Sequence, residues 1–338
     1  MPATSDVCVI IAAKNASATI GRAVASALAE PETTEIVVLD DGSTDTTAAA
    51  AEAADDGSGR LKIIRFSENQ GPAAARNHAI AHSRASLLAV LDADDFFLPG
   101  RFQRLFRETD WDFIADNIVF VDEAGAAQAS RAVPRFQSQA RLLDLKGFIE
   151  GNISQRGKQR GEIGFLKPVM RRSFLDAHGL RYQDSLRLGE DYDLYARALA
   201  RGARYKIVHG CGYGAVVRHD SLSGSHRTDD LKRLFEADRA MLADPTFPAD
   251  AAALIHRHER HIRGRYELRH FLDLKKARGP GAALGYMMAR PGAIPAIVGG
   301  ILADKTERFR PRQATAPADA GTPAFRYLLP AIPEPDQQ

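Results

Sequence analysis

The stretch LLAVLDADDFFLP, residues 87–99, sets a mostly apolar run directly against three carboxylates, Asp92, Asp94 and Asp95. Phe96, Phe97 and Leu98 then resume the apolar pattern. A short run such as LLAVL, bounded by polar residues, fits a strand buried on both faces. Carboxylates crowded at a strand's end repel one another, and water or a cation must relieve them. A hard divalent cation held by one or two carboxylates together with substrate phosphates suits that place. An acidic surface turn ahead of a helix would carry the same letters, so the surrounding chain has to decide.

Working outward, residues 7–13, 35–39, 61–66 and 87–91 read as strands. Residues 18–28, 46–54 and 72–82 read as helices, the last with Gly71 and Pro72 at its start, where proline is tolerated. This βαβαβαβ order predicts an α/β fold, a mainly parallel sheet with helices on its faces. Ligands in such sheets bind beyond the carboxyl ends of the strands. The polar clusters fall there: Lys14 and Asn15, then residues 40–45, 68–71 and 92–95. Further on, 113–121 reads as a strand, 124–141 as polar loop, and 142–149 as a short helix. Residues 151–164 form a glycine-rich basic loop. Residues 168–178 read as a strand edge and helix, and 188–201 as a helix opening with acids. Residues 205–208 are a strand, and 213–226 a strand running into a Ser/Gly-rich loop.

The expected organisation is a catalytic domain over 1–230, a helical extension over 231–305 and a disordered Pro/Ala-rich tail over 306–338. The chain of 338 residues is 45% hydrophobic and 26% charged, enough for a sizeable core. A net charge of +2 implies no polyanionic partner, so no nucleic acid is expected. Cys8 and Cys211 lie far apart and outside any CxxC pair, which is compatible with a reducing, cytoplasmic setting. The first residues lack the features of a signal peptide, and no apolar run is long enough for a spanning helix. Residues 255–278 carry eight Arg/Lys against three Asp/Glu, and apolar, proline-broken 279–303 follows. Together they are expected either to dock on an anionic membrane or to pack on the catalytic domain.

Four further motifs carry candidate chemistry. In VLDDGSTDTT, 38–47, a strand-end turn explains Gly, Ser and Thr but not the pair Asp40–Asp41. A carboxylate there can accept hydrogen bonds from a ribose hydroxyl or a base imide. In ENQGPAAARNHAI, 68–80, Gly71 permits close backbone approach, the helix start favours an anion, and Arg76 lies one turn in. In GEDYDL, 189–194, Glu190, Asp191 and Asp193 are more acids than the helix dipole needs, and one is placed to act as a general base. In VRHDSLSGSH, 217–226, His219 or His226 offers a metal ligand. A dinucleotide fingerprint is absent, because AAKNASATIG has no glycine until Gly21, and so is a P-loop. A bound phosphate must therefore be held otherwise, and a metal on residues 92–95 is the obvious candidate.

CVIIAAKN, VVLDDGSTD, NQGPAAARN, VLDADD and GEDYDL, in this order, resemble the family 2 glycosyltransferases of the GT-A fold, over roughly residues 5–226. The flavour is that of bacterial enzymes that build exopolysaccharide repeat units. The resemblance implies a Rossmann-like nucleotide-diphospho-sugar transferase with a mixed, mainly parallel sheet. It implies inverting transfer from a nucleotide sugar, usually a UDP sugar, with Mg²⁺ or Mn²⁺, to a saccharide or lipid-linked saccharide. The backbone at Ala12 and Ala13, with Asn15, and Asp40 or Asp41 would bind the nucleoside, with Gly71 and Arg76 nearby. Asp92, Ala93 and Asp94 match the D-x-D motif, Asp94 or Asp95 going to the metal. Asp191 matches the base, beside Glu190 on the substrate, and His219 the late metal-binding histidine, with His226 competing. One departure is AAKN, residues 12–15, where many members carry P-x-Y-N. Two alternatives stand beside this one: a sugar-phosphate nucleotidyltransferase, which would want a glycine-rich loop after the first strand, and a non-catalytic nucleotide-sugar scaffold.

Overall fold

VCVIIAA offers no polar side chain to solvent, and β1 (Val7–Ala13) accordingly lies inside the sheet. It pairs in parallel with β2 (Thr33–Asp40) on one side and with β4 (Leu87–Val90) on the other. β3 (Leu61–Arg65) pairs in parallel with β2 and is only partly covered, as an edge position requires. The computed structural model describes residues 6–132, 140–153, 163–217, 227–307 and 325–329. These divide into two units, Met1–Ser221 with Phe325–Gln338, and Leu222–Ala324.

In the first unit α1 (Ile20–Leu28) buries Ile20, Ala23, Val24, Ala27 and Leu28, one stripe of a 3.6-residue period. α2 (Thr47–Glu52) follows β2, and α3 (Pro72–Ala81) follows β3, opening on Pro72 after Gly71. Chain order runs outward from β1 through β2 to β3, then returns to β4 on the far side of β1. That reversal opens a crevice at the carboxyl ends of β1 and β4. Beyond β4 lie β5 (Phe96–Phe97), α4 (Arg101–Leu105), β6 (Phe113–Val121), α5 (Glu123–Ala132), β7 (Ala140–Leu143) and α6 (Leu145–Asn152). β8 (Val169–Arg171), α7 (Arg172–Ala177), α8 (Glu190–Ala200) and β9 (Tyr205–Val216) complete this stretch. The sheet order is β3-β2-β1-β4-β8-β6-β9-β5, with β7 on β9 and β10 (Arg326–Tyr327) on β6. The longest ladders, β1 with β2 and β6 with β9, are parallel, and β8 joins the two halves through short antiparallel pairings.

Four sequence expectations change. Residues 124–132, read as loop, belong to α5, whose alanines favour helix and whose Ala126 and Ala129 pack against Phe96, Leu98 and Val119. The helix read at 142–149 starts at Leu145, because Asp144 caps it by accepting the Gly147 N–H at 2.7 Å, and Ala140–Leu143 pairs with β9 instead. The two strands read at 205–208 and from 213 are one strand, β9, in which 209–212 form a bulge opposite residues 115–117 of β6. Within the tail read as disordered, Arg326 and Tyr327 pair with Phe120 and Val119.

The bulge explains Gly212. A side chain there would lie 2.3 Å from Asp116 Oδ2 and 2.4 Å from Arg101 Cγ. Arg101 is fully buried, donates from Nε to Asp116 Oδ1 at 3.0 Å, and stacks over Phe97 with 4.8 Å to the ring centre. Its Nη2 donates to the Lys167 carbonyl at 2.5 Å, which fixes the chain just before β8.

The second unit is helical. α9 (Thr228–Ala243) packs along α10 (Ala252–Arg278), the first burying Leu231, Leu234 and Phe235 and the second Ile255, Ile262 and Tyr266, with Phe235 edge-on to Tyr266 at 5.4 Å. α11 (Pro280–Ala289) and α12 (Ile294–Glu307) also pack on α10, the breaks falling at Gly279 and at Pro291.

Removing Asp116 would leave the Arg101 charge buried without its carboxylate. Asp116→Ala is expected to cost about 3–5 kcal/mol in chemical denaturation. A loss within the ~1 kcal/mol of an exposed pair would show that the pair does not anchor this region.

Candidate active site

The crevice is built from loops that hydrogen-bond to one another. After β1, Asn15 takes a left-handed conformation, φ 49°, which asparagine tolerates. Its N–H donates to Ser43 Oγ at 2.9 Å, and its Oδ1 accepts the Thr44 N–H at 2.9 Å. After β2, the Asp41 N–H donates to the Ala13 carbonyl at 2.8 Å. Asp40 is fully buried, accepts the Ser43 N–H at 2.9 Å and faces Arg65 Nε at 3.1 Å. The Asp41 carboxylate accepts the N–H groups of Gln70 at 2.6 Å and Gly71 at 2.9 Å, and so holds the loop after β3. Gly71, φ 101°, then opens α3. Gly42 lets these loops approach: a side chain there would meet the Glu68 backbone at 2.7 Å.

One turn into α3, buried Arg76 reaches three carboxylates. Nη1 donates to Glu190 at 2.7 Å and to Asp191 Oδ1 at 3.2 Å, and Nη2 donates to Asp92 Oδ1 at 2.9 Å. Lys167, just before β8, completes the cluster. Its Nζ lies 2.8 Å from Asp191 Oδ2 and 2.9 Å from Asp92 Oδ2. Asp92, Glu190 and Asp191 against Arg76 and Lys167 leave one excess negative charge among these five groups. Burial alone would raise the Asp92 carboxyl, but Lys167 and Arg76 outweigh it and hold it at about 2. Burial raises Glu190 above the usual carboxylate range, Arg76 opposing and the Asp191 charge adding to the rise. Asp193, the third acid of this helix start, turns away to Gln183 and Arg197 at 2.8 and 2.6 Å.

The D-A-D-D turn divides its residues. Asp92 joins the cluster with about a third of its side chain exposed (32%), and Ala93 is buried. Asp94 is half-buried, and its carbonyl accepts from Arg22 Nη2 at 3.0 Å. Asp95 is buried: Oδ2 accepts from the Tyr213 hydroxyl at 2.8 Å and Oδ1 accepts the Val216 N–H at 3.0 Å. Burial, then the charges of Asp92 and Asp94, push Asp95 well above the ordinary range. Tyr213 also accepts the Asp92 N–H at 3.1 Å and so locks the turn from both ends. His219 and His226 lie outside the described residues. Among the described residues, no group of three or more His, Cys, Asp or Glu is arranged to hold a metal.

Arg76, Asp92, Glu190 and Asp191 are therefore in direct contact, while Asn15, Asp40, Asp41 and Gly71 form an adjoining set of loop contacts. Sequence reasoning missed Lys167 and Tyr213. The available signal for Lys167 was one cation inside the otherwise apolar FLKPVM.

The profile of Glycosyl transferase family 2 matches residues 8–179, which takes in the crevice loops but stops short of Glu190 and Asp191. The chain is 67% identical over 328 residues to the succinoglycan biosynthesis protein ExoU of Rhizobium meliloti, covering 97% of this chain and 96% of that one. Among solved structures it is similar to S. aureus TarS in complex with UDP-GlcNAc, with a TM-score of 0.58, 19% identity and coverage of 86% and 81%. It is also similar to the mannosyltransferase PcManGT of Pyrobaculum calidifontis in complex with GDP-Man and Mn²⁺, with a TM-score of 0.52, 15% identity and coverage of 89% and 79%. At those identities the structural likeness speaks to fold, and the fold is the GT-A type that the ordered strand-end motifs implied. The match of the family profile across half the chain, together with near-full-length identity to ExoU, makes this protein a member of glycosyl transferase family 2.

Proposed function

We propose that the protein transfers a sugar, with inversion, from a nucleotide sugar, a UDP sugar in the first place, to a hydroxyl of a saccharide or lipid-linked saccharide during exopolysaccharide synthesis. The observation that carries this reading is the convergence of Asp92, at the end of β4, and Asp191, at the start of α8, on the same two cations. Likeness to a succinoglycan biosynthesis protein supports the polysaccharide context. The nucleotide sugars bound by TarS and PcManGT support the donor class.

In this reading the nucleoside lies on the backbone of Ala12 and Ala13, beside Asn15, with Asp40 or Asp41 on the ribose or base. Gly71, Arg76, Asp92 and Ala93 border the donor. The acids that remain suit a hard cation such as Mg²⁺ or Mn²⁺, which takes one or two carboxylates and fills its shell with phosphate oxygens and water. Asp94, the last carboxylate of the D-x-D match, is the proposed ligand, with Asp95, whose oxygens accept from Tyr213 and Val216, as the alternative. His219 remains a proposed further ligand. When bound, the cation would offset charge on the diphosphate leaving group. Asp191 takes the proton of the acceptor hydroxyl as that oxygen attacks the anomeric carbon, and attack from the face opposite the diphosphate inverts the centre. Glu190 shares Arg76 with Asp191 and supports it.

The second unit is the proposed place of membrane contact, on the cytoplasmic face. No described helix is long and apolar enough to cross a membrane. On α10 the acids Glu259 and Glu267 are buried and paired with Arg239 and with Tyr286 and Arg290. The exposed charges are then Arg257, Arg260, Arg269, Lys275, Lys276 and Arg278 against Asp273. Leu284 and Met288, and Val298 and Leu302, are exposed apolar pairs one helical turn apart. Cationic and apolar surface together suit anionic lipid.

Three outcomes test this. Asp191→Asn keeps the size but cannot accept the proton, and should lower turnover ~10²–10⁴-fold while nucleotide-sugar binding by calorimetry persists. Glu190→Gln should be milder, and a parent-like Asp191→Asn beside an inactive Glu190→Gln would move the base to the neighbour. Chelation should abolish transfer and Mn²⁺ or Mg²⁺ restore it, with Asp94→Ala inactive but folded by circular dichroism; full activity after exhaustive chelation rejects the metal. Finally, the full chain should bind anionic vesicles in a salt-sensitive way, and Lys275, Lys276 and Arg278 changed to Glu should weaken that binding. Unaltered binding in that variant removes the segment from the argument.

A further inference from the structure

Lys167 belongs to none of the motifs that drew attention in the sequence, yet it touches both ends of the proposed reaction. Its Nζ lies within 2.9 Å of Asp92, from the D-x-D turn, and 2.8 Å of Asp191, the proposed base. The side chain is buried, so the ammonium has given up water and depends on these two carboxylates. Its backbone is equally constrained. Pro168 follows it, which favours an extended conformation at residue 167. The Lys167 carbonyl accepts from Arg101, itself fixed by Asp116 in the core. The lysine stem thus starts from a fixed point and ends between two carboxylates.

The two oxygens of Asp191 are held unequally. Oδ2 has Lys167 at 2.8 Å, whereas Oδ1 has Arg76 at 3.2 Å and the Tyr195 hydroxyl at 3.5 Å. The firmly held oxygen orients the group, and Oδ1 is the oxygen with the longer contacts. We propose that Lys167 is a positioning residue that aims Asp191 Oδ1 at the acceptor hydroxyl and ties the base to Asp92 at the donor side. This rests on Asp191 being the base.

Asp191 is surrounded from several elements. It faces Lys167 ahead of β8, Arg76 on α3, Glu190 and Tyr195 on α8, and the phenols of Tyr182 and Tyr205. Burial first, and the Asp191 charge next, push Tyr182, Tyr195 and Tyr205 well above the ordinary phenol range. These hydroxyls therefore stay neutral, and the positive charge facing Asp191 comes from Lys167 and Arg76. Removing the lysine leaves Asp191 to Arg76 alone among the cations, at 3.2 Å, so its aim is lost while Asp92 keeps Arg76 at 2.9 Å.

The test uses the full chain, measuring UDP released from a panel of UDP sugars, with thermal melts as a folding control. Lys167→Met should lower kcat ~10²-fold, the usual penalty of a misaimed group, and leave donor KM near the parent value. Lys167→Arg keeps the charge and the donor and should recover most of the lost kcat. If Lys167→Met does not fold, Lys167→Gln retains a hydrogen-bond donor without the charge, and the same readings apply. An unchanged kcat in the neutral variant, or a loss confined to donor KM, overturns the proposal. An active Asp191→Asn would instead overturn the assignment of the base on which this rests.

Discussion

Arg76 and Lys167 are buried cations, and Asp92, Glu190 and Asp191 are the carboxylates that make their burial tolerable. Removing any one partner would strand a charge in a region largely closed to water. The contact between Arg76 and Asp191 spans 115 positions in sequence. The fold therefore has to deliver β4, α3, α8 and the entrance to β8 to one point. The connections run through backbone groups rather than through loose side chains. Asp41 holds the N–H groups of Gln70 and Gly71, Gly71 starts α3, and α3 carries Arg76. Arg101 holds the carbonyl of Lys167 from the opposite side. Each charged group is thus attached to an element whose position is already set by the core.

Asp92 and Asp95 stand three positions apart in one turn, yet their surroundings push them in opposite directions. Asp92 is held at about 2 because two cations outweigh its burial, whereas Asp95 is raised by burial and then by the charges of Asp92 and Asp94, which its hydrogen bonds from Val216 and Tyr213 oppose without cancelling. Environment rather than residue type divides their roles. The sign follows for stability. A carboxyl near 3.9 in the unfolded chain and about 2 in the folded one contributes stability above the first value, which is lost as pH falls through the second. The crowding visible in LDADD is relieved in two ways at once, by pairing at one end and by a neutralising core at the other.

What the sequence disclosed was whatever repeats locally. The apolar runs of β1, β2 and β4, the Gly-Pro start of α3 and the acids at the strand ends each carry their pattern within ten residues. They place residues 14–15, 40–45, 68–71 and 92–95 on one edge of the sheet, whereas Asp191 is singled out only by the acids of a helix start and by the family resemblance. Lys167 and Tyr213 have no such pattern. Their roles arise from contacts with Asp191 and Asp95 across 24 and 118 positions, and a lone lysine or tyrosine beside a strand announces nothing. The bulge in β9 failed for a related reason: HGCG looks like a turn, and only the partner strand shows that the chain continues through it. The strand at Arg326 and Tyr327 lies in a composition that argues against order, and its pairing partner is more than 200 residues away.

The same accounting of buried charge reaches the helical unit, with a different result. Asp238 lies against His258, Glu259 against Arg239, and Glu267 against Tyr286, all within the packing of α9, α10 and α11. Acids are taken inward because each finds a partner on the neighbouring helix, where an unpaired carboxylate would not be tolerated. The arginines and lysines of α10 have long stems that reach solvent from almost any position. A helix whose sequence holds both signs therefore shows a surface that is overwhelmingly basic. In the sheet unit, pairing concentrates carboxylates around two cations and makes the candidate site; in the helical unit, pairing withdraws carboxylates and leaves the cations facing outward. The net charge of +2 for the whole chain conceals both outcomes, because neither depends on the total.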